Sequence, residues 1–165
     1  MALTESAMPY VLVVDDDPDM REVMSRFLAG AGYEVSAAGG VLEGLDAMDR
    51  RSPDVVVADF VMPDGTGSEI LEGARKLPTG PPVIVVSCTV CMDTASDLLS
   101  AGAAGVLAKP FSRCELLGVV HAVSLRSWAG SGLSPSGAGP VTWFQPPGLA
   151  RRTAPASHRW TYRKL

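Results

Sequence analysis

The feature that most constrains the fold of this chain is an alternation of short β-branched runs with longer amphipathic segments, repeated five times between Tyr10 and about Arg126. Nearly continuous apolar runs suit strands buried on both faces, and segments with apolar residues at helical spacing suit covering helices. The pattern therefore predicts a doubly wound α/β fold. We expect a five-stranded parallel sheet in the order 2-1-3-4-5, flanked by five helices.

The bounds of these elements follow from the periodicity and from the turn residues between the runs. The predicted strands are Tyr10–Val14, Glu34–Ala38, Val55–Ala58, Val83–Val86 and Val106–Ala108. The predicted helices are Asp19–Ala31, Leu42–Arg50, Gly67–Lys76, Asp93–Ala101 and Arg113–Leu125. Only the second strand is expected to be half exposed. Val23, Phe27 and Leu28 are expected on the buried face of the first helix.

Charge and composition divide the 165 residues into two parts. Residues 1–125 carry 8 basic and 18 acidic side chains, whereas residues 126–165 carry six basic side chains and no acidic one. Gly, Ser and Pro supply 12 of the 23 residues from Trp128 to Ala150, as is typical of linkers. We therefore predict one domain over residues 8–126, followed over residues 127–165 by a Gly/Ser/Pro-rich linker and a basic, disordered tail.

Composition disfavours several classes of protein. The apolar runs are much shorter than the roughly 20 residues of a membrane-spanning helix, and the N-terminus lacks a secretory signal, so we expect a cytoplasmic protein without membrane partners. The three cysteines are an odd set, and Cys88 and Cys91 are interpreted as small packed thiols rather than a redox or zinc pair. The basic, aromatic tail lacks helical periodicity, so nucleic-acid binding is not expected; it could equally fold back on the acidic domain.

Polar side chains end four of the five predicted strands. They are Asp15–Asp17 after the first, Asp59 after the third, Ser87 after the fourth and Lys109 after the fifth. Because the carboxyl ends of parallel strands meet at one edge of a sheet, we expect these side chains to lie together. Clustered carboxylates need a cation, and a hard ion such as Mg²⁺ matches their oxygen atoms. This chemistry favours phosphoryl transfer to Asp59, with Ser87 and Lys109 contacting the phosphoryl oxygens.

Each of these residues also has a structural interpretation when taken alone. Asp15–Asp17 could cap the following helix, where Asp is favoured. Asp59 could precede the turn at Met62–Gly65, and Lys109 could be a solvated strand end. Their joint placement at one edge of the sheet favours the phosphoryl site.

Four segments closely resemble the motifs of the receiver domains of bacterial two-component response regulators, over about Met8–Arg126. They are Val11–Pro18, Pro53–Gly65, Pro82–Ser87 and Ala101–Phe111. The resemblance implies a flavodoxin-like fold, a requirement for Mg²⁺, and a phosphoryl donor that is a sensor histidine kinase or a phosphotransfer protein. It also implies that the Lys109-Pro110 peptide bond is cis.

The resemblance assigns roles to individual residues. The metal ligands that it implies are Asp15, Asp16, Asp59 and the backbone carbonyl of Val61. Asp59 would be modified to a 4-aspartylphosphate, and Ser87 and Lys109 would contact the phosphoryl group. Val61 and Thr89 look like the positions that control access of hydrolytic water, and an apolar Val61 predicts slow autodephosphorylation. Val106 departs from the pattern, because an inward-turning aromatic residue is expected there.

Three functions remain open from the sequence. The first is a signalling domain with no enzymatic activity beyond self-phosphorylation and autodephosphorylation. Its phosphorylation would change the face of the fourth helix, fifth strand and fifth helix toward an unknown downstream protein. The second is a phosphorelay intermediate or phosphate sink, which Val106 slightly favours. The third is a phosphohydrolase, which needs an acid/base carboxylate and a cap, whereas position 61 is Val and no insertion is evident.

Overall fold

The computed structural model describes residues 8–88 and 92–129, with side chains described over 8–88 and 95–125. Twelve elements follow one another along the chain. They are β1 (Tyr10–Val14), α1 (Pro18–Ala29), β2 (Glu34–Ala38), α2 (Val41–Arg50), β3 (Val55–Asp59), β4 (Val61–Met62), β5 (Gly65–Thr66), α3 (Gly67–Lys76), β6 (Val83–Ser87), α4 (Met92–Ser100), β7 (Gly105–Ala108) and α5 (Arg113–Ala129).

The main sheet has five parallel strands in the order β2-β1-β3-β6-β7. Numbered along the chain without the short β4 and β5, these strands have the predicted order 2-1-3-4-5, so the fold prediction is confirmed. The central strands end level with one another, because Val14 pairs with Ala58 and Asp59 pairs with Val86. The residues that follow β1, β3 and β6 therefore meet at one edge of the sheet.

Two apolar layers cover the sheet, one on each face. Leu12 and Val56 belong to the layer that includes α2, α3 and α4, and Val11 and Val57 belong to the layer that includes α1 and α5. Adjacent residues of one strand point to opposite faces, so a strand buried on both faces must be apolar at every position. Strand β2 lies at the edge of the sheet and exposes three of its five residues, which confirms its predicted half exposure.

Helix α1 begins and ends earlier than the sequence predicts. Pro18 is its first residue, and the Asp17 side chain accepts a hydrogen bond from the backbone N–H of Asp19 at 3.0 Å. The prediction that Val23 is buried is wrong, because its side chain is 42% exposed while Met24 is fully buried. Met24 and the residues four positions before and after it form the face of the helix that packs on the sheet. Val23 lies one position before Met24 and therefore points to a different side of the helix, toward solvent.

The predicted bounds of β1, β2 and α3 are confirmed, and those of the other elements differ by one to four residues. Strand β6 extends to Ser87, because the backbone N–H of Lys109 donates to the carbonyl of Ser87 at 2.8 Å and lengthens the ladder. Helix α5 continues past the predicted end at Leu125 to Ala129, so the predicted domain boundary at residue 126 falls within this helix. Residues 130–165 of the predicted linker and tail lie outside the described residues. None of the described helices combines the length and apolarity needed to cross a bilayer.

A short hairpin of β4 and β5 follows β3, where the sequence indicated only a turn. Its turn residue Asp64 accepts a hydrogen bond from the backbone N–H of Leu42 at 3.1 Å and so caps α2. Its second strand leads into α3 through a capping box, in which the Glu69 carboxylate accepts from the backbone N–H of Thr66 at 2.7 Å. The hairpin is thus fixed to the starts of two helices.

Candidate functional site

Asp15 is fully buried at the carboxyl end of β1 and is held from several directions. Its Oδ1 accepts a hydrogen bond from the backbone N–H of Asp17 at 2.9 Å, and its Oδ2 accepts one from Lys109 Nζ at 2.8 Å. Its backbone carbonyl accepts from Arg21 Nη1 at 2.7 Å. A buried carboxylate is costly unless it is paired and hydrogen-bonded, and these contacts meet that requirement. Asp15 therefore has one well-defined orientation.

Asp59 is the last residue of β3 and is only 9% exposed. Its Oδ2 lies 3.3 Å from Lys109 Nζ, and its Oδ1 accepts a hydrogen bond from the backbone N–H of Phe60 at 2.8 Å. Burial raises the pKa of Asp59 above the ordinary aspartate value, the charge of Lys109 opposes this rise, and the charge of Asp15 adds to it. A further cation at this edge would therefore favour the charged form of Asp59.

Three carboxylates form a group that could hold a metal ion. One oxygen each from Asp15, Asp16 and Asp59 lies within 4.8 Å of the others. Oxygen ligands of Mg²⁺ lie about 2.0–2.1 Å from the ion and thus up to about 4 Å apart, so small rotations suffice for these oxygens to share one ion. Asp16 is exposed, which leaves the group open to water and to an incoming ligand. The donor set, all oxygen and negative, fits a hard divalent cation.

Lys109 lies between two of these carboxylates rather than in solvent. Its side chain is 11% exposed, so the interpretation as a solvated strand end is wrong. Burial acts to lower the pKa of Lys109, but the hydrogen bond and charge of Asp15 and the charge of Asp59 outweigh it, and the pKa is raised. The side chain is therefore an ammonium ion at neutral pH. The Lys109-Pro110 peptide bond is cis, as the resemblance implies.

The other described residues that the sequence singled out lie in the strands β6, β4 and β7. Ser87 is buried at the end of β6, next to the strand end that leads to Lys109. Val61 lies in β4 with a 56% exposed side chain, two residues after Asp59. Thr89 lies outside the described residues. Val106 is buried in β7 within the apolar layer that includes α2, α3 and α4.

The helix-cap interpretation of the acidic run Asp15–Asp17 holds for only one of its three residues. Asp17 is the helix cap of α1, whereas Asp15 and Asp16 belong to the carboxylate group. Sequence reasoning did not identify Arg21, which contacts the carbonyls of Asp15 and Asp16. A signal was available, because a long cationic side chain four residues into a helix reaches back over its first turn.

The cysteine interpretation needs one correction. Cys88 is exposed, so it is not a packed thiol, because it follows the last residue of β6 and leaves the apolar interior there. Cys91 lies outside the described residues. Cys114 is also exposed, near the start of α5.

Comparison with known proteins shows which family of domains the chain resembles. The profile of the response regulator receiver domain matches residues 11–121. The chain is 36% identical over 118 residues to the transcriptional regulatory protein PrrA of Mycobacterium bovis, which covers 72% of this chain and 51% of that protein. It is 36% identical over 117 residues to the response regulator MprA of a Mycobacterium species, which covers 71% of this chain and 51% of that protein. The chain thus spans about half the length of these curated relatives.

Solved structures of similar proteins have the same architecture. The chemotaxis response regulator CheY4 of Vibrio cholerae superposes with a TM-score of 0.65 at 31% identity, over 70% of this chain and 98% of that one. A CheY-like receiver domain protein from Methanospirillum hungatei superposes with a TM-score of 0.70 at 28% identity, over 74% of this chain and 98% of that one.

Proposed function

The chain belongs to the response regulator receiver domain family, and we propose that it acts in phosphorelay signalling by accepting a phosphoryl group on Asp59. One observation carries the assignment of Asp59. Its carboxylate lies within 4.8 Å of the oxygens of Asp15 and Asp16 and 3.3 Å from the ammonium group of Lys109. A nucleophilic oxygen, a cation-binding group and a positive charge thus meet at one point of the sheet edge.

We propose Mg²⁺ as the cation of this site. The carboxylates of Asp15, Asp16 and Asp59 and the backbone carbonyl of Val61 would hold it. When bound, Mg²⁺ supplies positive charge that offsets the mutual repulsion of the carboxylates and of the incoming phosphoryl oxygens. The oxygen-only donor set and the opening of the group at Asp16 support this choice.

The residues around Asp59 support its role as nucleophile. The donor is taken to be a phosphorylated histidine of another protein. A carboxylate oxygen of Asp59 forms a bond to phosphorus while the bond between phosphorus and the histidine nitrogen breaks, and the leaving imidazole takes up a proton. Lys109, fixed between Asp15 and Asp59, contacts the phosphoryl oxygens and offsets their negative charge. Ser87, at the end of the neighbouring strand, contributes a hydroxyl to the same group. Apart from self-phosphorylation and autodephosphorylation, this arrangement needs no enzymatic activity.

Receiver domains interact with histidine kinases and with downstream effectors. For this chain we propose a sensor histidine kinase or a phosphotransfer protein as the donor, in the cytoplasm, and a downstream protein as the recipient of the signal. Residues 8–126 would form the receiver unit, and residues 127–165 a linker and basic tail. Nucleic acid and membrane are not proposed as partners.

A second candidate function is a phosphorelay intermediate or phosphate sink. Val106 favours it, because a buried aliphatic residue at this position of β7 is too small to swing between an inward and an outward arrangement as an aromatic ring does. In this case Asp59 passes the phosphoryl group onward without a large change of surface. Incubation of the phosphorylated protein with a purified phosphotransfer protein, followed by measurement of back-transfer, distinguishes the two functions.

Labelling with acetyl phosphate and Mg²⁺ tests the assignment of Asp59. Intact-mass measurement should detect one added phosphoryl group in the parent and in Asp49→Asn, a control at an exposed aspartate of α2. Asp59→Asn should gain none. Labelling of Asp59→Asn to the parental level would contradict the assignment, and repeated turnover of an organic phosphate ester would instead support a phosphohydrolase.

A further inference from the structure

The connection between β1 and α1 carries two of the three clustered carboxylates, but these two are held very differently. Asp15 is fully buried, and both of its carboxylate oxygens accept hydrogen bonds. Asp16 is exposed, so packing does little to fix it. A metal site that uses both residues needs the backbone at Asp16 to be ordered by some other contact.

That contact comes from Arg21, on the second turn of α1. Its Nη1 donates to the backbone carbonyl of Asp15 at 2.7 Å and to that of Asp16 at 3.1 Å. The backbone N–H of Arg21 donates to the carbonyl of Asp17 at 3.0 Å, so the residue lies one turn beyond the helix cap. Helical side chains slope toward the N-terminus, and this slope brings the long Arg21 side chain back over the connection.

These two hydrogen bonds act on the backbone on both sides of Asp16. The carbonyl of Asp15 belongs to the peptide plane before the Cα atom of Asp16, and the carbonyl of Asp16 belongs to the plane after it. Because peptide units are planar, fixing both carbonyls restrains the two backbone dihedrals of Asp16. The two hydrogen bonds do not restrain the side-chain rotamers of Asp16.

The charge of Arg21 does not itself favour a metal ion at this place. The N-terminal end of a helix carries a partial positive charge, which disfavours a nearby cationic side chain. A guanidinium group also repels a metal ion bound by the adjacent carboxylates. The contribution of Arg21 to the metal site therefore lies in its hydrogen bonds to the carbonyls.

We propose that Arg21 is a positioning residue of the metal site, which holds the carbonyls of Asp15 and Asp16 and thereby orders the backbone that presents both carboxylates to the cation. The part of this proposal that concerns the cation rests on the proposed function. The part that concerns the order of the connection does not.

Binding of MgCl₂ to Arg21→Met, measured by isothermal titration, tests the proposal by the sign of the change. If the hydrogen bonds from Arg21 position the metal ligands, their loss should raise the Kd for Mg²⁺ roughly tenfold. A purely electrostatic role would lower the Kd, since a repelling charge is removed. Arg21→Lys keeps a charged donor on a shorter side chain and should give an intermediate Kd. Arg26→Met is the control. It removes an exposed arginine that lies more than one turn after Arg21 and pairs with Glu22, and it should leave the Kd for Mg²⁺ unchanged.

Amide hydrogen exchange in EDTA tests the ordering without metal. The backbone N–H of Asp17, which donates to Asp15 Oδ1, should exchange roughly tenfold faster in Arg21→Met than in the parent and Arg26→Met, at equal urea midpoints. Unchanged exchange, or a lower Kd for Mg²⁺ in Arg21→Met, overturns the proposal. If the parent binds no Mg²⁺, the proposed metal site fails, and the exchange rates alone decide whether Arg21 orders the connection.

Discussion

Lys109 Nζ lies 2.8 Å from Oδ2 of Asp15, a residue 94 positions earlier in the chain. The same nitrogen lies 3.3 Å from Oδ2 of Asp59. One ammonium group thus faces two nearly buried carboxylates that would otherwise repel each other. The lysine proposed to contact the phosphoryl group is also the charge that stabilises the site before any ligand binds.

Lys109→Met tests this stabilising role. The substitution keeps an unbranched apolar side chain but leaves Asp15 and Asp59 without their cation, and should lower the free energy of unfolding in EDTA by about 3 kcal/mol. Mg²⁺ supplies positive charge at the same carboxylates, so the deficit should be smaller at saturating MgCl₂. Urea unfolding under both conditions measures the difference. An equal deficit with and without Mg²⁺ would argue that the cation binds elsewhere.

Gly44 tests the packing between α2, β1 and α3, and Gly118 in α5 provides a matched control. A Cβ atom at Gly44 would lie 2.9 Å from Ile70 Cδ1 and 3.1 Å from the Val14 methyl groups, whereas one at Gly118 meets nothing within 4 Å. Both glycines lie in helices, where Ala is preferred by about 1 kcal/mol. We expect Gly118→Ala to stabilise the protein by up to that amount and Gly44→Ala to destabilise it by about 1 kcal/mol, since overpacking outweighs helix propensity. Urea unfolding of both variants checks this, and a stabilised Gly44→Ala would show that the interface relaxes freely.

Asp64 gives the capping of α2 a pH dependence. Hydrogen bonds from the backbone N–H groups of Val41 and Leu42 lower the pKa of Asp64 below its ordinary value. A carboxylate with a lowered pKa stabilises the fold at pH values above the unfolded-state pKa, and this stabilisation is lost as the pH falls through the folded-state pKa. Asp64→Asn keeps an oxygen acceptor but removes the charge.

We therefore expect Asp64→Asn to melt at a lower temperature than the parent at pH 7, and the difference to shrink as the pH falls below about 4. Melting curves over this pH range provide the measurement. Asp49→Asn, at an exposed aspartate of the helix that Asp64 caps, controls for the change in net charge. A difference in melting temperature that stays constant down to acidic pH would exclude the ionised cap.

Val61 leads to a prediction about the lifetime of the phosphorylated state. Its exposed, apolar side chain, two residues after Asp59, has no group to orient a water molecule, so autodephosphorylation should be slow. Val61→Asn adds such a group and should speed phosphate loss severalfold after acetyl phosphate is removed. Val23→Asn, at an exposed valine of α1, should behave like the parent. A Val61→Asn variant no faster than the parent would refute the role of this position.

The sheet could be predicted because its determinants are local in sequence. Each strand is an apolar run such as Val83–Val86, each helix carries its own buried stripe, and short right-handed connections leave few ways to assemble them. The grouping of Asp15, Asp59 and Lys109 followed from the same reasoning, since parallel strands put their carboxyl ends at one edge. The prediction that these side chains lie together therefore required only the order of the elements.

Other features depended on how separate segments meet in space. Helical periodicity placed Val23 within a possible buried stripe, but the position of α1 against the sheet buried Met24 and exposed Val23. Likewise, the small size of Cys88 suggested a packed thiol, whereas the end of β6 carried it to the surface. A periodic pattern gives the angle between side chains on one element and not the direction in which its neighbours lie.

The sequence by itself thus determined the parallel sheet, its strand order and the edge at which Asp15, Asp59 and Lys109 gather. Only the tertiary structure decided that Lys109 bonds to Asp15 and that Asp64 caps a helix whose residue Leu42 lies 22 positions earlier. The physical reason is the range of the forces involved. Burial of apolar runs sets the architecture over many residues, whereas a hydrogen bond forms only within about 3 Å, a distance set by strand register and helix packing together.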